Sequence, residues 1–213
     1  MTKQDRARPR GGLADKRRSI LTGALTVFAR DGYTRASIDA IAAEAGVSTR
    51  TIYNHFEDKA RLFQSVIQES GGRVAEAQIA LIERHLGKVT DLEADLSAFG
   101  LAWLTPIPDY ADHSALVRQI NAEARHVPQE AIDVWQDTGP LRVRRALAAR
   151  LRELADQGLL RIDDADRAAL HFSVLIWGEG PSSRGTRRSR EEIAETVAAG
   201  VHAFLYGHLP LKT

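Results

Sequence analysis

The chain has 213 residues, 44% of them apolar, enough for one large or two small packed domains. It contains no cysteine, which excludes disulfides and thiolate metal sites, and no apolar run approaches the ~18 residues of a membrane span. The N-terminus is basic and polar without the apolar core of a secretory signal, so the expected setting is the reducing cytoplasm.

A formal net charge of +1 hides a polarity along the chain. Residues 1–64 carry 12 Lys/Arg against 7 Asp/Glu, and the remainder 17 against 21. One pole is cationic and the other mildly anionic, the disposition with which a protein meets a polyanion end-on. An acidic protein surface is the other ligand such a pole fits, so a helical protein-interaction module is the alternative reading.

Residues 1–12 lack apolar periodicity and end in Gly11-Gly12, which predicts a disordered basic arm. Arg6, Arg8 and Arg10 alternate there with small residues, as in arms that enter a minor groove. Ile20, Ala24, Val27 and Phe28 recur at helical spacing, predicting a helix from Asp15 to Arg30 that Asp31-Gly32 stops. Lys16, Arg17 and Arg18 fall in its first turn, where the macrodipole disfavours cations unless phosphates lie near. Ser37 is placed to cap a helix over Ile38–Ala45, with Ile41, Ala42 and Ala45 inward and Gly46 as its left-handed stop. The small Ala42, Ala43 and Ala45 permit a close helix crossing.

Ser48 caps a further helix of about two turns. On an ideal helix at about 100° per residue, Thr49, Arg50, Tyr53 and Asn54 share one arc of roughly 140°, with Ile52 and Phe56 opposite. So short a helix needs a clamp from behind, and the apolar pair supplies it. Helix, glycine turn and helix within about 18 residues is the layout of a helix-turn-helix. Arg50 can fork onto guanine O6 and N7, Asn54 can pair with adenine, and Thr49 can touch a thymine methyl. Ser37, Thr51, Tyr53, His55 and Lys59 suit phosphates, as does the helix N-terminus that Ser48 caps. Asp58 then caps a helix with Leu62, Phe63, Val66 and Ile67 on one face.

Residues 13–63, above all GVSTRTIYNHFEDKARLF, resemble the DNA-binding domain of the TetR family of bacterial transcriptional regulators. The pattern V-S-x-x-T-[IL]-Y-x-[HY]-F-x-x-K is met by Ile52, Tyr53, His55, Phe56 and Lys59 in their places. The resemblance implies an all-α fold of about nine helices, with a DNA-binding domain over 13–59 and a ligand-binding and dimerisation domain over 60–209. It also implies phosphate contacts from Tyr53, His55 and Lys59, a homodimer through the last two helices, and repression of a DNA operator relieved by an effector.

The rest of the chain reads as helix throughout. Gly71-Gly72 marks a kink or break in a run to Leu86, and residues 87–91 a turn. Leu92, Leu96, Phe99 and Trp103 lie on a helix ended by the prolines of residues 105–109. Leu116, Ile120 and Ala124 mark another, and Pro128 opens a short one ending before Gly139-Pro140. A helix over 141–157 stops at Gly158. Two more, over 164–177 and 190–206, flank the polar loop 178–189, with Leu170, Val174 and Trp177 on one face and Ile193, Val197, Val201 and Phe204 on the other helix.

Phe99, Trp103, Trp135, Trp177 and Phe172 are the large apolar groups of this half, and Arg118, Asn121, His126 and His171 the polar groups near them. An apolar pocket with few polar orienters is the form of a small-molecule site, here for an apolar or amphipathic effector. Enzyme readings find no residues. The seven histidines form no HExxH or i, i+4 pair, so no metal is expected. Gly178-Glu179-Gly180-Pro181 reads as a turn, the acids at 163–166 as a helix N-terminus, and nothing calls for a cofactor.

Overall fold

The computed structural model describes residues 11–177 and 189–209. Among them the regular elements are ten α-helices and one short 3-10 turn, an all-α fold close to the expected count. The helices are α1 (Gly11–Arg35), α2 (Ile38–Ala45), α3 (Thr49–Tyr53), α4 (Lys59–Leu86) and α5 (Leu92–Leu104). After the turn Pro108–Tyr110 come α6 (Ala111–Ala122), α7 (Gln129–Thr138), α8 (Pro140–Asp156), α9 (Ala165–Trp177) and α10 (Arg190–His208).

Packing divides the chain into two compact units. The first holds residues up to Gly71 together with Asp109–Trp135, and the second Gly72–Pro108 and residues from Gln136 onward. The helix-turn-helix segment therefore shares its unit with α6 and the start of α7.

In the first unit Ile20, Ala24, Val27 and Phe28 of α1 pack against Leu62, Phe63 and Ile67 of α4 and Leu116 and Ile120 of α6. Phe63 meets Phe28 edge-on at 4.9 Å and Tyr33 at the same separation. α1 begins at Gly11, so Gly11 and Gly12 belong to a helix and not to the arm; residues 1–10 lie outside the described residues. The earlier start also carries Lys16, Arg17 and Arg18 past the first turn, which removes the expected clash with the helix dipole. Arg17 instead lies over the Phe56 ring, 5.6 Å from its centre, and pairs with Glu69 at 3.7 Å.

Gly32 breaks α1 with φ 77° and ψ 174°, and the chain turns a corner into Ser37. The Ser37 hydroxyl accepts the Ala40 N–H at 3.1 Å, and Gly46, at φ 65°, closes α2 as expected. The close crossing made by the small residues is with α1: a Cβ on Gly23 would lie 2.8 Å from the Ala45 nitrogen. Gly71-Gly72 neither breaks nor ends α4. Gly71 lies against Trp135, where an added Cβ would stand 3.2 Å from the indole, while Gly72 faces open space.

In the second unit an aromatic file runs through the core. Phe99 of α5 meets Trp103 at 5.3 Å and Phe172 of α9 at 5.7 Å, and Phe172 meets Phe204 of α10 at 5.2 Å. Arg150 of α8 donates to the carbonyls of Leu86 and Gly87 and so closes α4. Asp164 accepts the Arg167 N–H at 3.0 Å, the helix-capping role expected of that acidic run. A capping box between Ser189 and Glu192 opens α10. The glycines of residues 178–181 lie outside the described residues.

Two glycine substitutions separate packing from chain entropy. Gly23→Ala is expected to destabilise the protein by about 1–3 kcal/mol, because the new methyl meets backbone that cannot retreat. Gly72→Ala is expected to stabilise it by roughly 0.5–1 kcal/mol, the helical cost of glycine in open space. Urea unfolding of both variants checks the opposite signs.

Candidate nucleic-acid interface

α3 has five residues, shorter than the two turns expected, and is tied at both ends. The Ser48 hydroxyl accepts the Thr51 N–H at 3.2 Å and lies 2.9 Å from the Thr51 hydroxyl. Beyond Tyr53 the coil is prolonged by Asn54 N–H to the Arg50 carbonyl at 3.1 Å and Phe56 N–H to that of Ile52 at 2.9 Å. Ile52 is 1% exposed and Phe56 6%, and both belong to the core of the unit. On the other side Arg50 and Asn54 are exposed, Tyr53 is 56% exposed and Thr49 is half-buried.

Around this rim Ser37 and Ser48 are exposed, and Thr51 and His55 half-buried. Lys59 stands differently. Its ammonium donates to the carbonyls of Tyr33 at 2.9 Å and Ala36 at 3.1 Å, with Thr34 at 3.5 Å, and lies 4.6 Å from the centre of the Tyr33 ring. Its donors thus serve carbonyls at the α1–α2 corner, a role the motif spacing did not reveal.

A second anchor of that corner comes from α6. Glu123, just past its last turn, accepts the Thr34 N–H at 2.9 Å and the Thr34 hydroxyl at 3.1 Å. Burial alone would raise the carboxyl pKa, but the Thr34 hydrogen bonds and the Arg35 charge outweigh it and hold the group below the ordinary glutamate value.

Residues 20–66 match the profile of bacterial regulatory proteins of the tetR family, and residues 94–207 that of the AefR-like transcriptional repressor C-terminal domain. The HTH-type transcriptional repressor AcnR of Corynebacterium glutamicum is 35% identical over 185 residues, 86% of this chain and 89% of that protein. The chain belongs to the TetR family. A TetR-family transcriptional regulator from Mesorhizobium loti superposes with a TM-score of 0.82 at 27% identity, over 93% of this chain and 98% of that one. The flavonoid-responsive regulator FrrA does so at 0.69 and 29%, over 93% and 100%. As a TetR-family member the chain is a DNA-binding transcriptional regulator and not an enzyme, and α2 and α3 form its helix-turn-helix.

The residues expected to ring an effector are divided between the two units of this TetR-family chain. Phe99 is fully buried in the core of the second, with Trp103 half-buried against it. His171 is exposed on α9, and the Trp177 side chain lies outside the described residues. In the first unit Arg118, Asn121 and His126 are exposed, and Trp135 packs against Gly71. Periodicity placed these groups on helices but not on which side of them. It also missed a buried polar pair, Ser70 and His113, whose hydroxyl and Nδ1 lie 3.1 Å apart.

An open apolar groove of about 420 Å³ runs between α9 and α10, lined by Leu170, His171, Val174, Leu175, Ala203 and His208 around Phe204. Val174 is 62% exposed there, and Tyr206 on α10 is 87% exposed. Among the described residues no helix is long and apolar enough to cross a membrane.

Lys59→Met is expected to lower stability without DNA by about 1–3 kcal/mol, since the Tyr33 and Ala36 carbonyls lose their charged donor. Thermal unfolding of the free protein measures it; an unchanged midpoint would return Lys59 to the phosphate-contacting set.

Proposed function

We infer that the chain is a cytoplasmic homodimeric repressor that binds a palindromic operator through α3 and leaves it when a small effector binds its C-terminal helical domain. The observation that carries this reading is the outward row Arg50, Tyr53 and Asn54 on a helix whose other side, Ile52 and Phe56, is buried. Arg50 and Asn54 read base edges, with Thr49 beside them, while Ser37, Ser48, Thr51, Tyr53 and His55 face phosphates.

Homodimerisation through α9 and α10 is supported by their exposed apolar strip. A second copy would cover Leu170 and Val174, which line the groove between the two helices, and Tyr206 of α10, all exposed in the single chain. Two α3 helices related by a two-fold then enter successive major grooves about 34 Å apart. An effector that prefers a conformer with another head separation lowers affinity by population shift. The name of the flavonoid-responsive neighbour FrrA supports response to a small apolar or amphipathic molecule, and the repressor name of the relative AcnR supports repression.

The test is selection of bound duplexes from a random pool, in which the wild type is expected to enrich an inverted repeat. Arg50→Ala should then cost about 1–3 kcal/mol per head and relax preference at one base of each half-site; unchanged selectivity removes Arg50 from the reading set. Operator affinity should fall with salt at a log–log slope of about −5 or steeper if six or more phosphates are neutralised, and a flat titration contradicts the charge argument.

A further inference from the structure

The corner between α1 and α2 determines where the helix-turn-helix begins, and besides one long local bond, Ala36 N–H to the Gly32 carbonyl at 3.3 Å, side chains from distant helices hold it. With φ 77° and ψ 174°, Gly32 takes the backbone off the helical path. The Thr34 N–H, diverted from the helical ladder, finds its acceptor outside the helix, in the Glu123 carboxylate 89 positions along the chain. The same oxygen accepts the Thr34 hydroxyl. The other oxygen fills the notch that Gly32 leaves, since a Cβ at that position would stand 2.3 Å from it. From the other end of the corner the Lys59 ammonium binds the Tyr33 and Ala36 carbonyls. Ser37, the cap of α2, is the next residue.

The sign of the charge makes this arrangement informative. Glu123 places an anion at the entrance to the helix-turn-helix, where simple electrostatics would weaken attraction to a polyanion. The Thr34 hydrogen bonds and the Arg35 charge hold its pKa below the ordinary glutamate value despite burial. Its charge opposes the ligand, so any help it gives to DNA binding comes through geometry.

We propose that Glu123 is a positioning residue for DNA binding, its carboxylate fixing the α1–α2 corner and with it the seat of α2 and α3 on the operator. The proposal rests on the reading of α2–α3 as the DNA-contacting pair. Glu123 touches no base or phosphate in this role. It acts through Gly32 and Thr34.

The experiment uses the full-length protein and a duplex bearing the consensus that the wild type selects from a random pool, beside an unrelated duplex of equal length. Glu123→Ala is expected to weaken operator binding by about tenfold, the scale of one charge-assisted hydrogen bond, while binding to the unrelated duplex is unchanged or tighter. The salt slope should not become shallower, because no phosphate contact is lost. Glu123→Gln, which keeps an acceptor oxygen, should recover most of the loss. Thr34→Val removes one donor and keeps the fold. It should weaken operator binding about twofold or more and add nothing to Glu123→Ala in the double variant. Equal or tighter operator binding by Glu123→Ala and Thr34→Val, or equal losses on both duplexes, overturns the proposal. A wild type that selects no sequence instead sinks the operator reading beneath it, so the two failures are told apart.

Discussion

A helix of five residues forms too few hydrogen bonds to repay its own nucleation in water, so α3 exists because something else holds it. That hold is the burial of Ile52 and Phe56 in the core that α1 and α4 build around Phe28, Leu62 and Phe63. Each buried side chain of this kind contributes about 1.5–3 kcal/mol, far more than a single turn of helix supplies. The rest of the interface depends on this clamp. With the inner side fixed, Arg50, Tyr53 and Asn54 have one direction left in which to point. Arg17 lying over the Phe56 ring covers the clamp from outside.

The same logic reaches back one helix. α2 is capped by Ser37 and closed by Gly46, but its place is determined by the corner before it, where Lys59 and Glu123 hold backbone groups from opposite charge states. A cation on carbonyls and an anion on an N–H are the charge-assisted pairings that satisfy a helix end most strongly. They join α1, α4 and α6 at the point where the helix-turn-helix begins. With the packing of Leu116 and Ile120 on α1, they place α6 in the compact unit that contains α2 and α3.

Much of this was legible in the sequence where the signal was local. Ser37, Gly46, Ser48 and Asp58 each act within four residues of themselves, and the bounds of α2 follow from two of them. The inner and outer sides of α3 followed from helical period alone. What local rules could not reach were interactions spanning the chain. Nothing near Thr34 announces a carboxylate 89 positions away, and nothing in the motif tells a lysine bound to carbonyls from one awaiting phosphate. Gly71-Gly72 reads as a break by propensity, yet α4 runs through it, with Trp135 packed on Gly71. For the residues expected around an effector, period identifies an apolar side of a helix but not what covers it. Leu170 and Val174 share one helical face as read, and in the single chain that face is exposed.

The central claim is that the outer rim of α3 enters a major groove, and guanine N7 lies in that groove alone. Dimethyl sulfate protection on the selected duplex therefore tests it most directly. The account predicts two blocks of N7 protection about one helical turn apart on one side of the duplex, each weakened in Arg50→Ala. Tight binding with every N7 left open to methylation would contradict it.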